Sequence, residues 1–162
     1  MSGRIVVLEL SRMEAAHLAG LVSQFAELLE ESQDAGADPA VRRLVPDAYA
    51  DADAAREFRE VTEAELLARR RSDGAVVLAT LADAADIPDD PADPALREMV
   101  DVALDEDQAR AWLRTLAAVR LVLASRLGIA HEDDHDAEDP RYGIYDWLGY
   151  RLDGLVNAID AD

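Results

Sequence analysis

Apolar residues recur along this chain with two periods, and each change of period marks an element. Arg4 to Leu10 reads RIVVLEL, a β-branched run of strand character. Ser11 follows with Glu14 three residues on, the spacing of a capping box that opens a helix. Behind that cap Leu18, Leu21, Val22, Phe25, Leu28 and Leu29 form a stripe that lasts to about Glu31. Asp51 to Arg71 predicts helix again, divided into two near Thr62, where Thr62 and Glu65 repeat the capping spacing. Leu67, the Arg70 stem, Gly74, Val77, Leu78 and Leu81 continue at helical spacing, although Asp73-Gly74 followed by AVVLATL also fits a turn and a strand, so 74–82 is read as helix with strand as the alternative.

The alternation of Met99 to Leu104 (MVDVAL) predicts a half-buried strand, and Asp105 with Gln108 repeats the capping arrangement. Trp112, Leu113, Leu116, Val119, Leu123 and Leu127 line the helix that follows, and Gly128 stands where a C-cap takes positive φ. A last helix puts Tyr145, Leu148, Leu152, Leu155, Val156 and Ile159 on one face. The pattern therefore predicts a mainly α (α+β) fold over a single domain, 1–162, with five to six helices. Two short strands, 4–10 and 99–104, are available to pair, and 32–40, 86–95 and 129–140 are expected as exposed loops. An offset of 94 residues lays strand on strand and Ser11 on Asp105, which fits two related strand-helix units, the alternative being that any strand, cap and helix in succession align this way.

Composition narrows the chemistry. The 35 acidic residues outnumber the 16 basic ones, all arginine, for a net charge of −19, a field that repels nucleic acid and anionic membranes. No cysteine is present, which removes disulfides, thiolate metal sites, cysteine nucleophiles and a thiol switch from within the chain. The apolar run before Glu9 is too short for a signal-peptide core, so a cytoplasmic location is expected.

His131-Glu132-Asp133-Asp134-His135 matches H-E-x-x-H, the spacing by which a helix presents two imidazoles to zinc beside a glutamate base. Its setting is an acidic stretch after Gly128 that favours a solvated loop, leaving His131, Glu132 and His135 as weak metal candidates behind a metal-dependent hydrolase alternative. No nucleophile has a nameable base, and no glycine loop has phosphate-cradling spacing, so neither catalysis nor a cofactor is expected. The basic clusters Arg42-Arg43 and Arg69-Arg70-Arg71, the latter read at a helix end, together with Tyr49, are the candidate partner-binding residues. The competing reading is local ion pairing, with Arg43, Asp47, Tyr49, Asp53, Glu57 and Arg59 in one network.

Three blocks carry a resemblance. Arg43-Leu44-Val45-Pro46-Asp47-Ala48-Tyr49 with Asp53 and Glu57-Phe58-Arg59 comes first. Ala111-Trp112-Leu113-Arg114-Thr115-Leu116 with Arg120-Leu121 and Arg126-Leu127-Gly128 comes second, and Tyr145-Asp146-Trp147-Leu148 with Leu155-Val156 third. In order and spacing they resemble an actinobacterial family of unknown function of the AosR (actinomycete oxidative stress regulator) type, often encoded near the ClpS protease adaptor. The resemblance implies a transcription-linked regulator with a sigma-factor partner. The chain departs from the family's redox pattern in lacking the cysteine pair. The expectation is thus a non-enzymatic regulatory domain that binds a protein partner, a sigma factor or another transcription component, with a Clp-linked accessory role as a further alternative. Direct nucleic-acid binding and membrane contact are not expected, and homodimerisation through the Trp112 helix or the last helix is open.

Overall fold

The computed structural model describes residues 4–31, 40, 52–128 and 143–160. Strand β1 (Val6–Ser11) leads into helix α1 (Arg12–Glu31), followed by α2 (Ala52–Leu81). A 3-10 turn at Pro94–Arg97 precedes β2 (Met99–Leu104), helix α3 (Glu106–Leu127) and helix α4 (Gly143–Asp160). The two strands form an antiparallel sheet in which Val6 faces Leu104, Leu8 faces Val102 and Ser11 faces Met99. Leu8 and Val102 are 94 residues apart, so the offset read from the sequence relates two residues that pair at the centre of the sheet, as a local twofold requires.

Alternation sets what each face of the sheet meets. Val6, Leu10, Val102 and Leu104 are buried, whereas Val7, Glu9, Met99, Asp101 and Ala103 are exposed. Both capping boxes form: Ser11 Oγ accepts from the Glu14 amide at 3.1 Å, and the Asp105 carboxylate accepts from the Gln108 amide at 2.8 Å. Gly128 ends α3 with φ of 75°, its amide reaching back to Ser125.

The helices pack in sequence order, α1 on α2, α2 on α3 and α3 on α4. Leu18, Val22, Leu81, Leu104, Leu116, Leu148 and Leu155 are fully enclosed around Trp112. Such burial is the main stabilising term, about 1.5–3 kcal/mol for each large side chain. The Trp112 indole N–H donates to Thr80 Oγ1 at 2.8 Å, so the largest core residue brings no orphaned donor. Its burial places it in this chain's own core. Among the described residues no helix is long and apolar enough to cross a membrane.

Several expectations are corrected. Four α-helices and one 3-10 turn stand among the described residues, fewer than five to six. α2 runs unbroken through Thr62, where two helices were expected, while 74–81 is helix, as favoured over the strand alternative. Asp73 and Gly74, a turn signal in the sequence, serve packing instead. The Asp73 carboxylate takes two 2.9 Å bonds from Arg114 of α3, and a Cβ on Gly74 would stand 3.6 Å from Val22 of α1. β1 starts at Val6 rather than Arg4 because the register would put Arg4 opposite Glu106, where the helix α3 has already begun and no strand is left to pair. Val156 is 41% exposed, so the buried face of α4 is narrower than its apolar pattern. Of the expected exposed loop 32–40, residues 32–39 lie outside the described residues and Ala40 is helical and buried, and 129–140 also lies outside them; of 86–95, 86–93 carries no regular element, while Pro94 and Ala95 begin the 3-10 turn, which the Asp93 side chain caps at the Ala95 amide.

The Asp73–Arg114 pair is asymmetric, with side chains 11% and 46% exposed. Asp73→Ala returns a guanidinium to water and is expected to cost about 1–3 kcal/mol in urea unfolding. Arg114→Ala leaves a buried carboxylate unpaired and is expected to cost roughly 1 kcal/mol more. Equal losses would show that the pair behaves as a surface ion pair.

Candidate functional site

The N-terminal half of α1 and the first turns of α4 lie side by side and leave an open groove between them. Glu14, Ala16, His17, Gly20, Leu21 and Gln24 form one wall; Gly143, Ile144 and Trp147 form the other, around about 480 Å³. Helical periodicity explains the α1 wall, since 17, 20 and 24 fall on one stripe and Ala16 and Leu21 flank it. Small residues make the depression: a Cβ on Gly20 would meet nothing within 4 Å. Ile144 is 51% exposed at the lip, and the stripe of α1 continues past the groove into exposed Glu27 and Glu31.

Glu14 fixes the two walls against each other. Its Oε1 accepts from the Ser11 amide at 3.1 Å, and its Oε2 accepts from the Trp147 indole at 3.0 Å and from Arg151 Nη2 at 2.9 Å. One carboxylate thus closes the cap of α1 and anchors α4. Partial burial pushes the Glu14 carboxyl up, but the hydrogen bonds from Arg151, the Ser11 amide and Trp147, with the Arg151 charge, outweigh it and draw it from 4.5 down to about 2. On the opposite face of α4, Arg120 of α3 lies 3.9 Å over the Tyr145 ring and donates to the Tyr145 carbonyl at 3.2 Å. Gly149 makes room for it, because a Cβ there would come within 2.9 Å of Arg120 Nη2.

The residues singled out in the sequence are not gathered here. Arg42, Arg43, Tyr49, His131, Glu132 and His135 lie outside the described residues. Arg69, Arg70 and Arg71 lie within α2, ten residues or more before its end, not at a helix terminus. Arg70 turns inward, donating to the Arg114 carbonyl at 3.4 Å, while Arg69 and Arg71 are exposed. Successive helical residues point about 100° apart, so the triplet does not form one continuous cationic face. Among the described residues no three His, Cys, Asp or Glu side chains are grouped to hold a metal.

Glu14 was legible as a capping residue, but the groove was not. Its second oxygen meets residues more than 130 positions away, and nothing in local spacing announces that. Because the folded-state value of Glu14 lies below its ordinary one, its contribution to stability is complete above pH 4.5 and is lost as pH falls toward 2. Glu14→Gln is therefore expected to lower stability by about 1–3 kcal/mol at pH 7. The gap between variant and parent should close as pH falls through that window, measured by chemical denaturation at several pH values. A gap constant with pH would show that the carboxylate charge contributes nothing.

No curated protein and no solved structure matches this chain. A family model, described as a domain of unknown function (DUF2017), matches residues 1–159, which takes in both described strands, the described helices up to the last residue of α4, and both walls of the groove. The chain belongs to that family.

Proposed function

We propose that this chain is a non-enzymatic regulatory domain of the cytoplasm that binds a protein partner by taking an amphipathic helix into the α1–α4 groove. The observation that carries this reading is the groove itself, apolar along Ala16, Leu21, Ile144 and Trp147 and braced by Glu14. Two helical walls lined by small residues fit the helix-in-groove mode, in which a partner inserts apolar side chains at three- and four-residue spacing. The acidic continuation of the α1 stripe and the net charge of −19 favour a helix whose flank is basic.

The resemblance to the AosR type supplies the class of partner, a sigma factor or another transcription component with basic nucleic-acid-binding helices. In this reading the chain is a transcription-linked oxidative-stress regulator of actinobacterial type. With no cysteine of its own, it follows the availability of its partner rather than an internal thiol switch.

Titration of a purified sigma factor, followed by calorimetry at about 50 and 300 mM salt, tests the proposal. Binding is expected to weaken by about tenfold at the higher salt, as rim charges are screened. Gly20→Phe fills the groove from a position where a side chain meets open space, so it should preserve the melting temperature and abolish binding. Binding unaffected by Gly20→Phe, or absent at both salts, contradicts the reading. Capture of a Clp component in place of a transcription protein moves the function to proteolysis.

A further inference from the structure

A second surface lies on the far side of the sheet from β1. Strand β2 has one neighbour, so one of its edges is unpaired within the described sheet. The ladder shows which groups that edge presents. The Arg12 amide donates to the Glu98 carbonyl at 3.0 Å, continuing the β1–β2 register by one position. In an antiparallel pair, bonded and non-bonded positions alternate. Val100, Val102 and Leu104 therefore turn their backbone groups toward β1, whereas Asp101 and Ala103 turn theirs away. Among the described residues no other backbone group meets them.

Those same residues border a cleft of about 480 Å³, whose opposite wall is Ala79, Thr80, Asp83 and Ala84 at the C-terminal end of α2. Arg12, held by the Asp83 carbonyl at 3.0 Å and by Glu98, closes one end, and Gln108 of α3 stands at the other. A sheet edge running beside a helix, with space between them, is the setting in which an extended segment adds as a strand.

We propose that this cleft binds an extended segment of another protein by β-augmentation of β2, and that the segment alternates apolar and cationic residues. The alternation follows from the period of a strand. Side chains on the inner side of an added strand meet Ala79, Thr80 and Ala84, which leave room for a residue such as valine. The side chain opposite Asp101 stands on the outer face, where Asp101 and Glu9 are directly paired, two carboxylates that repel each other and attract a cation. That charge also selects against a second copy of this chain, since twofold pairing of β2 with itself would bring the two Asp101 side chains together. This surface is separate from the α1–α4 groove, and its test does not depend on that reading.

A fluorescein-labelled Arg-Val-Arg-Val-Arg-Val-Arg peptide is the probe, compared with the same peptide N-methylated at its arginines, whose amides face β2 when an arginine stands opposite Asp101, so that it keeps its charge but cannot pair with that edge. Anisotropy is expected to show saturable binding of the first and at least about tenfold weaker binding of the second. Hydrogen exchange at the Asp101 and Ala103 amides should slow on binding. Ala103→Pro deletes an outward N–H without touching the β1 ladder and should abolish binding, and Asp101→Arg, an exposed change that keeps the strand, should weaken it by at least about tenfold. Equal affinity for both peptides, unchanged exchange at the two amides, or full binding by Asp101→Arg overturns the proposal. A chain that sediments alone as a dimer with those amides already protected overturns it in favour of self-pairing.

Discussion

Glu14 ties the beginning of the fold to its end through one carboxylate. Oε1 completes the cap where β1 becomes α1, and Oε2 holds the indole of Trp147 and the guanidinium of Arg151 on α4. Without that bond pair, α4 would rest on α3 through its buried face and the Arg120–Tyr145 contact, with its first turns less firmly set against α1. The groove exists because those first turns are held at one distance from α1. Charge-assisted bonds suit this task, since they are directional where apolar packing is not.

The sheet supplies the frame on which that bond acts. Pairing β1 with β2 brings two strand-helix units together around Leu8 and Val102, and each unit sends its helix away from its own capping box. α2 then fills the space between α1 and α3, held to α3 by Asp73–Arg114 and by Trp112–Thr80, and brought close to α1 at Gly74. Polar contacts at the α2–α3, α3–α4 and α1–α4 seams fix orientation inside a core made mostly of leucine, valine and alanine.

Much of this architecture was legible. Both strands, both capping boxes, the Gly128 cap and the buried faces of α1 and α3 follow from local periodicity, because burial of one face imposes a period on the residues themselves. The division at Thr62 failed for the opposite reason: a capping motif states what a helix start would look like, and packing decides whether the helix starts there. Asp73-Gly74 admitted a turn as well as a helix, and the helix reading agrees with the folded chain, where the acid serves an ion pair and the small residue a close approach. The groove was illegible because its two walls come from opposite ends of the sequence. Arginine clusters drew notice as charge, yet Arg70 is directed at a neighbouring helix while Arg120 and Arg151, isolated in sequence, brace α4.

The central claim is that the α1–α4 groove receives the protein partner, and the chain's two tryptophans offer a direct test with an internal control. Trp147 lines the groove and bonds Glu14, while Trp112 is enclosed in the core and bonds Thr80. The most direct measurement is the pair of indole N–H resonances in a nitrogen-15 spectrum, followed as a purified sigma factor is added. The Trp147 signal is expected to shift or broaden with saturation while that of Trp112 stays in place. Saturable binding that leaves Trp147 unmoved would contradict the assignment of this groove.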